Sequence, residues 1–241
     1  VTVQCKGYDK KITCTPDHQF VTYKNSVRKD EFGKRKKFDY TLRWKSIDSC
    51  DVKKDCLLLP FGLQNEEDRY ETYNNKQILV DEKFARFIGL YLAEGGTDYG
   101  RVTFNLCIDE DHFANELISI GEELFGITGR KEYSKIKQNV LLVRFYSVVL
   151  EKFIKSIIPG NLYNKNVPLS ILNSKKSVKI ACLRGWIDGD GHNYKESNRV
   201  TGVSASSSLI DDLYVLSASC KLNPSLYLRN KEKHQTVASK S

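Results

Sequence analysis

The sequence predicts a mixed α/β protein: a body of two pseudo-symmetric halves, preceded by a small all-β part. Three observations carry that prediction. Two segments, FIGLYLAEG at 87–95 and LRGWIDGDG at 183–191, align position by position, with Gly89 on Gly185, Leu90 on Trp186, Ala93 on Gly189, Glu94 on Asp190 and Gly95 on Gly191. Each is followed by similar sequence, Arg101-Val102-Thr103 and Arg199-Val200-Thr201, then a helix-like stretch with an acid-Leu pair, Glu116-Leu117 and Asp212-Leu213. The texture also changes near Asp81, from short alternating runs to helices mixed with strands. A repeat at this domain-scale period implies a pseudo-twofold body, since solenoid repeats run roughly 20–50 residues.

Residues 1–60 read as short strands. Residues 1–5, 11–14, 20–23 and 40–44 alternate apolar and polar, and 56–59 form a short apolar run. Between them the charged stretch 28–37, with the run Gly33-Lys34-Arg35-Lys36-Lys37, reads as a solvated loop able to touch phosphates. Residues 1–62 are thus set apart as a β segment, and the polar residues 63–80 as a linker. Asp81 is placed as the N-cap of the helix that holds the first motif. Residues 101–107 alternate as a strand, and 109–125 carry helical spacing through Phe113, Leu117, Ile120 and Leu124 up to Gly126. A hairpin of 130–136 and 140–145 follows, then a helix at 148–158. The order helix–strand–helix–strand–strand–helix restarts at Val178, with a helix at 209–222 and a strand at 225–229. Little chain remains beyond Arg229, so the second half (178–241) reads as shorter than the first (81–160).

The chain has 241 residues, 38 Lys+Arg against 30 Asp+Glu, a net charge of +8 and a pI of about 9.0. This balance fits a nucleic-acid partner. No apolar run reaches the roughly 18 residues of a membrane span, and no signal peptide opens the chain, which excludes a membrane role from the reading. The seven cysteines are scattered without a CxxC pair, so no zinc site or disulfide framework is expected. A reduced intracellular compartment, cytoplasmic or nuclear, follows. The chain opens at Val1 and contains no methionine, which reads as an excised or partial product.

Gly89 and Ala93, like Gly185 and Gly189, are four apart and share one helix face. Two such faces packed in parallel bring main chain to main chain, and deliver Glu94 and Asp190 side by side where the helices end. A carboxylate there opposes the negative end of the helix dipole. Two of them need a cation, so the pair reads as a divalent-metal site.

These paired segments resemble the motifs of LAGLIDADG (dodecapeptide) homing endonucleases of the single-chain, two-motif type. Asn164-Lys165-Asn166-Val167-Pro168 is similar to the family's Lys-x-Ile/Val-Pro block, and the resemblance covers about residues 81–230. It implies two αββαββα-like halves forming a DNA-binding saddle, acting as a monomer of pseudo-twofold symmetry on double-stranded DNA. It also implies a Mg²⁺-dependent endonuclease, with Mn²⁺ able to substitute. Glu94 and Asp190 are the expected catalytic metal ligands, with Lys165 beside them to orient or deprotonate water or to stabilise charge. Lys231 or Lys233 would be its counterpart. Leu92 stands where the family's first Asp lies, whereas Asp188 keeps that place in the second motif. The segment Ile12 to Phe20, with Thr15 and His18, resembles the Thr-x-x-His block of intein (Hint) splicing domains, and Trp44 to Ile47 and Leu57 to Pro60 resemble the strands that follow it. An intein needs a Cys or Ser nucleophile at its start and a terminal His-Asn; this chain has Val1 and Ala238-Ser239-Lys240-Ser241, so splicing calls for further segments.

Recognition is expected from strands laid in the major groove, where each base pair presents a distinct pattern. Candidates in the first half are Arg101, Thr103 and Asn105, then Arg130, Tyr133, Lys135 and Lys137, then Arg144. The second half offers Asn193, Lys195, Asn198, Arg199, Tyr227, Arg229 and Lys231. Two alternatives stay open: a DNA- or RNA-binding protein of the same fold (a regulator or intron maturase) that has lost cleavage, and an autoprocessing splicing module.

Overall fold

The structure is a computed structural model. It describes residues 1–5, 8–24, 26–29, 35–39, 42–51, 55–57, 66–134, 138–194, 199–222 and 224–227; for 5, 8–10, 24, 26–29 and 35–39 it describes the backbone only. The chain divides into two compact units: Gly62–Pro224, and Val1–Phe61 with Ser225–Ser241.

The smaller unit is built from strands. β1 (Thr2–Cys5) pairs with β2 (Tyr8–Thr13), β4 (Ser26–Lys29) with β5 (Arg35–Asp39), and β3 (Gln19–Lys24) lies between β6 (Leu42–Ser46) and β7 (Asp55–Leu57). The stretch 28–37, read as a loop, therefore enters a ladder at both ends, with Arg28 opposite Lys36 and Lys29 opposite Arg35. Antiparallel pairing uses main-chain groups that every residue carries, so a run of charges does not exclude it. Lys45 meets Asp55 at 2.6 Å, and the Asp51 N–H donates to the same oxygen at 2.9 Å.

In the larger unit, residues read as a linker form a hairpin, β8 (Tyr70–Tyr73) and β9 (Lys76–Leu79). Asn74 and Asn75, at φ 48° and 62°, make its two-residue turn, a conformation that Asn tolerates better than most residues. Its inward Tyr73 and Ile78 join the core, and the Tyr73 ring meets Phe125 and Phe153 edge-on at 5.2 and 5.4 Å. Only two of its residues point inward, too few to register as a pattern in the sequence.

The first half then runs α1 (Glu82–Glu94), β10 (Gly95–Asp98), β11 (Arg101–Cys107), α2 (Asp111–Phe125), β12 (Arg130–Tyr133), β13 (Val140–Tyr146) and α3 (Val148–Ile157), an αββαββα order. Local signals set its helix ends: the Phe84 N–H donates to the Asp81 carboxylate at 2.8 Å, Gly126 at φ 66° closes α2, and Ser147 caps α3. The four strands pair antiparallel in the order β10-β11-β13-β12. Val102, Phe104, Leu106, Leu141, Val143 and Phe145 point to the core, where Phe87, Phe104 and Phe145 meet edge to face. Burying rings of that size contributes roughly 2–3 kcal/mol each. The other face of the sheet is polar.

The second half follows α4 (Leu169–Leu172) with α5 (Lys176–Asp190), β14 (Gly191–Tyr194), β15 (Arg199–Gly202) and α6 (Ser207–Ser219). It repeats the first αββα. Of the strand expected at 225–229, a single bridged residue, Leu226, is described. Where the residues suggested one strand after each motif there are two, because Gly-Gly-Thr-Asp and Gly-His-Asn-Tyr pair through the main chain without apolar alternation. No described helix is long and apolar enough to cross a membrane, and the described cysteines, Cys14, Cys50, Cys56, Cys107, Cys182 and Cys220, are free.

Candidate functional site

The helices α1 and α5 cross at glycines. A Cβ on Gly89 would fall 2.2 Å from the Cys182 carbonyl oxygen and 3.0 Å from the Gly185 Cα; one on Gly185 would fall 2.7 Å from the Arg86 carbonyl oxygen. One on Gly189 would fall 2.5 Å from the Ala93 Cβ. Aligned positions of the two motifs therefore touch each other, which requires the helices to run parallel, in register and main chain against main chain. Arg86 closes the crossing on one side, giving a fork to Glu116 (2.8 and 2.8 Å) and Nη1 to Asp188 (2.5 Å). The positions related to that pair by the repeat are Cys182 and Leu92, both buried.

Parallel packing puts both C-terminal ends at one place. Glu94 and Asp190 are the last residues of α1 and α5. A Cβ on Gly189 would lie 3.1 Å from the Glu94 Cγ, so Glu94 rests against the opposite motif. Burial, then the charge of Asp190, pushes the Glu94 carboxyl up from 4.5 to about 7. Crowding by its surroundings raises Asp190 as well, although one side of the residue stays open to solvent, as an ion ligand's must. The Trp186 indole N–H, buried without a hydrogen-bond partner, lies near Asp190 and favours its charged form.

Lys165 is 5% exposed and reaches the end of α1 from outside the helix. Its Nζ donates to the carbonyls of Tyr91 (2.9 Å), Leu92 (3.1 Å) and Gly95 (2.7 Å), and sits 5.0 Å from the centre of the Tyr91 ring. The Tyr91 carbonyl also accepts the Gly95 N–H that closes the helix, so Lys165 ties the last turn of α1 to the start of β10. Three donated bonds use every hydrogen of an ammonium. Burial lowers the Lys165 pKa to about 8, against the opposing pull of Asp190 and Glu94. Its own backbone is held by α6: the Ser206 Oγ donates to the Lys165 carbonyl at 2.7 Å, and Asp212 accepts from the Val167 N–H at 2.9 Å.

Two carboxylates, with carbonyls nearby, are hard oxygen donors of the kind Mg²⁺ takes when one or two protein ligands are completed by water and phosphate. Among the described residues no group of three or more His, Cys, Asp or Glu gathers as a closed cage. The donor set fits an open divalent site.

Asn105 links this end to the sheet, its Nδ2 donating to the Glu94 carbonyl at 3.3 Å. On the polar face, register places Arg101, Thr103 and Asn105 opposite Tyr146, Arg144 and Leu142, with Arg130 and Glu132 next in line. A concavity of about 450 Å³ opens there, lined by Asp98, Arg101, Thr103, Asn105 and Arg144 among others. Tyr133 stands opposite Leu141, a core residue, and so lies on the other face although exposed at the sheet's end. It is three residues from Arg130, and an odd separation changes face. In the second half the Gly202 position abuts the Trp186 ring, so Asn193 and Val200, two residues along their strands from the paired Gly191 and Gly202, share that inward side. Arg199 occupies the opposite side with Thr201, His192 and Tyr194. Asn193 and Arg199 therefore lie on opposite sides of their ladder. Asp98, Glu132, His192 and Tyr194 escaped the sequence reading; aligning residues 96 and 98 with 192 and 194 would have found three of them. Lys135, Lys137, Lys195, Asn198, Arg229, Lys231 and Lys233 lie outside the described residues.

In the smaller unit the His18 N–H donates to the Thr15 carbonyl at 3.2 Å, and the His18 ring meets Phe20 edge-on at 4.8 Å. The Cys14 N–H donates to the Val1 carbonyl at 3.0 Å.

No protein-family model matches the chain. A protein described as uncharacterized protein MJ1054, of Methanocaldococcus jannaschii, is 35% identical over 126 residues, 48% of this chain and 14% of its own length. The ATP-dependent DNA helicase Hel308 of Thermococcus kodakarensis is 29% identical over 154 residues, 59% of this chain and 13% of the helicase. A DNA polymerase of Thermococcus hydrothermalis is 28% identical over 146 residues, 57% of this chain and 8% of the polymerase. The chain thus spans a small fraction of the curated relatives it matches. Among solved structures it is similar to the homing endonuclease I-DmoI, in complex with DNA and Mn and as mesophilic variants. In both cases the TM-score is 0.45, with 14 and 15% identity, over 64% of this chain and 85% of the other.

Proposed function

We propose that this chain is a site-specific, double-strand DNA endonuclease of the LAGLIDADG homing type, embedded in or derived from an intein, that hydrolyses phosphodiester bonds with a divalent metal. One observation carries the reading: Glu94 and Asp190 end two parallel helices in main-chain contact, beside a concave polar sheet face. The Asp190 charge raises the proton affinity of Glu94, and a divalent cation relieves that repulsion. Glu94 and Asp190 would hold Mg²⁺, or Mn²⁺ in its place; when bound, the metal supplies Lewis-acid neutralisation of the negative charge that builds up on the phosphate.

The chain's own groups would do the rest. Lys165, with every N–H engaged by a carbonyl, fixes the end of α1 and favours the charged forms of Glu94 and Asp190, against the burial that raises both; that occupation favours an electrostatic role over proton abstraction. Arg101, Thr103, Asn105, Arg130 and Arg144 would contact the duplex, and Arg199 would do so from the second half. What supports an inserted module is that the helicase and the polymerase each share only a small part of their own length with this chain, 13 and 8%. Thr15 and His18 would belong to the splicing part of such an insert.

The test is cleavage of a supercoiled plasmid library carrying candidate target sites, in Mg²⁺ and in EDTA. Linear product in Mg²⁺ alone, lowered roughly 10³-fold in Asp190→Asn, is expected of a group that holds the metal. Tight DNA binding without cleavage under any divalent ion would turn the assignment to the non-cleaving alternative.

A further inference from the structure

The polar face of the four-stranded sheet carries carboxylates as well as arginines. Asp98 and Arg101 flank a two-residue turn, Tyr99 and Gly100, at φ 43° and 78°. The turn is tied down from behind. The Gly100 N–H donates at 2.8 Å to Glu151, a residue of α3 only 8% exposed, whose other oxygen accepts from Lys155 at 2.6 Å. Across the turn, Arg101 gives Nε and Nη2 to the two oxygens of Asp98, at 2.8 and 3.0 Å. Further across the face Arg144 gives Nη1 to Glu132, whose second oxygen accepts from the Tyr146 hydroxyl at 2.7 Å. The Arg144 Nε is buried without a partner, so Glu132 is the group that fixes its head.

A free arginine on a DNA-binding surface is drawn to any phosphate. Arg144 is held through Nη1 and has Nη2 left to offer, whereas a guanidinium whose Nε edge is taken by a carboxylate, as in Arg101, has its plane fixed and offers its Nη1/Nη2 end. That end is the fork that matches O6 and N7 of guanine in the major groove. The nearby carboxylate also makes a phosphate in the same place unfavourable. We propose that Asp98 is a specificity-determining positioning residue, which aims Arg101 at a guanine edge, and that Asp98 and Glu132 both withhold their arginines from the DNA backbone. The inference rests on the DNA-binding part of the reading above and needs no cleavage.

Randomised duplex libraries selected for binding in EDTA test it, using the full chain, Asp98→Asn, Glu132→Gln, and Glu122→Gln as a control. Glu122 is exposed on α2, and its substitution removes the same charge away from this face. The expected result is guanine enrichment at one position, lowered about tenfold by Asp98→Asn. Affinity for unselected duplex should rise in both face variants, and its dependence on log salt should steepen by about one. Glu122→Gln should leave the enrichment intact. Unchanged guanine preference in Asp98→Asn overturns the inference, as does an equal loss in the control. Absence of DNA binding overturns it together with the nuclease reading. Enrichment that responds to Asp98→Asn supports it even where Mg²⁺ yields no cut.

Discussion

At the end of α1 a buried lysine reaches in to satisfy three carbonyls; at the end of α5 the neighbour is the Trp186 indole, and no described lysine donates to the last carbonyls. The crossing beneath is lopsided as well, with Arg86 and Asp188 forming an ion pair where the repeat-related Cys182 and Leu92 are buried and apolar. On the sheets, Arg101 faces a carboxylate across its ladder, whereas Arg199 faces Tyr194. The difference teaches that the repeat has kept what must meet its copy, the small residues and the terminal acids, and has let each copy's surroundings diverge.

The largest effect should come from Lys165→Met. On the proposed reading it slows scission of the strand served by Glu94 about 100-fold, roughly 2.7 kcal/mol of barrier, and the other strand less. End-labelled duplex read strand by strand checks this, and equal slowing of both strands would mean that the two ends share one lysine. Next comes Gly89→Ala, which forces a Cβ onto the Cys182 carbonyl and should cost about 2 kcal/mol in urea unfolding. Gly189→Ala meets side-chain atoms of Ala93 and Glu94, which can shift, and should cost less. If both cost the same, the crossing is looser than its contacts indicate.

The smallest effect is a pH dependence. A carboxyl raised from 4.5 to about 7 binds its proton more tightly in the folded chain. Its stabilisation is therefore complete below the unfolded value and is lost as pH rises toward 7. Since Glu94 is partly open to water, screening limits the loss to roughly 1–3 kcal/mol. Thermal melts of metal-free protein between pH 4.5 and 8 should show this fall flattened in Glu94→Gln, and Mg²⁺ at pH 8 should restore stability to the native chain. A fall that persists in Glu94→Gln would move the cause to Asp190, also raised.

The helical part of this architecture was readable from residues. Gly89 with Ala93 and Gly185 with Gly189 announced a close crossing because a helix stacks positions four apart. Asp81 and Gly126 marked helix ends because each supplies a specific local feature, an acceptor side chain and a left-handed backbone. The apposition of Glu94 and Asp190 followed from the crossing. What stayed hidden is held by main-chain pairing or by unlike charges. β10 and β14 lack alternation, the hairpin at residues 70–79 buries too little to stand out, and the faces of Tyr133 and Asn193 are set by ladder register, which the sequence does not display. Asp98 and Glu132 went unnoticed because a search for DNA contacts looks for cations, while the acids that hold them carry the opposite sign.

With Gly89 and Gly185 in main-chain contact, the two helices cannot draw closer, and a side chain at either glycine would wedge them apart. The one dimension left adjustable is the reach of the terminal acids, which differ by a single methylene between Glu94 and Asp190. Coarse spacing is thus set by the peptide backbone and fine spacing by one carbon atom, so lineages descending from such a scaffold can retune the gap by exchanging Glu for Asp while leaving the join between the halves untouched.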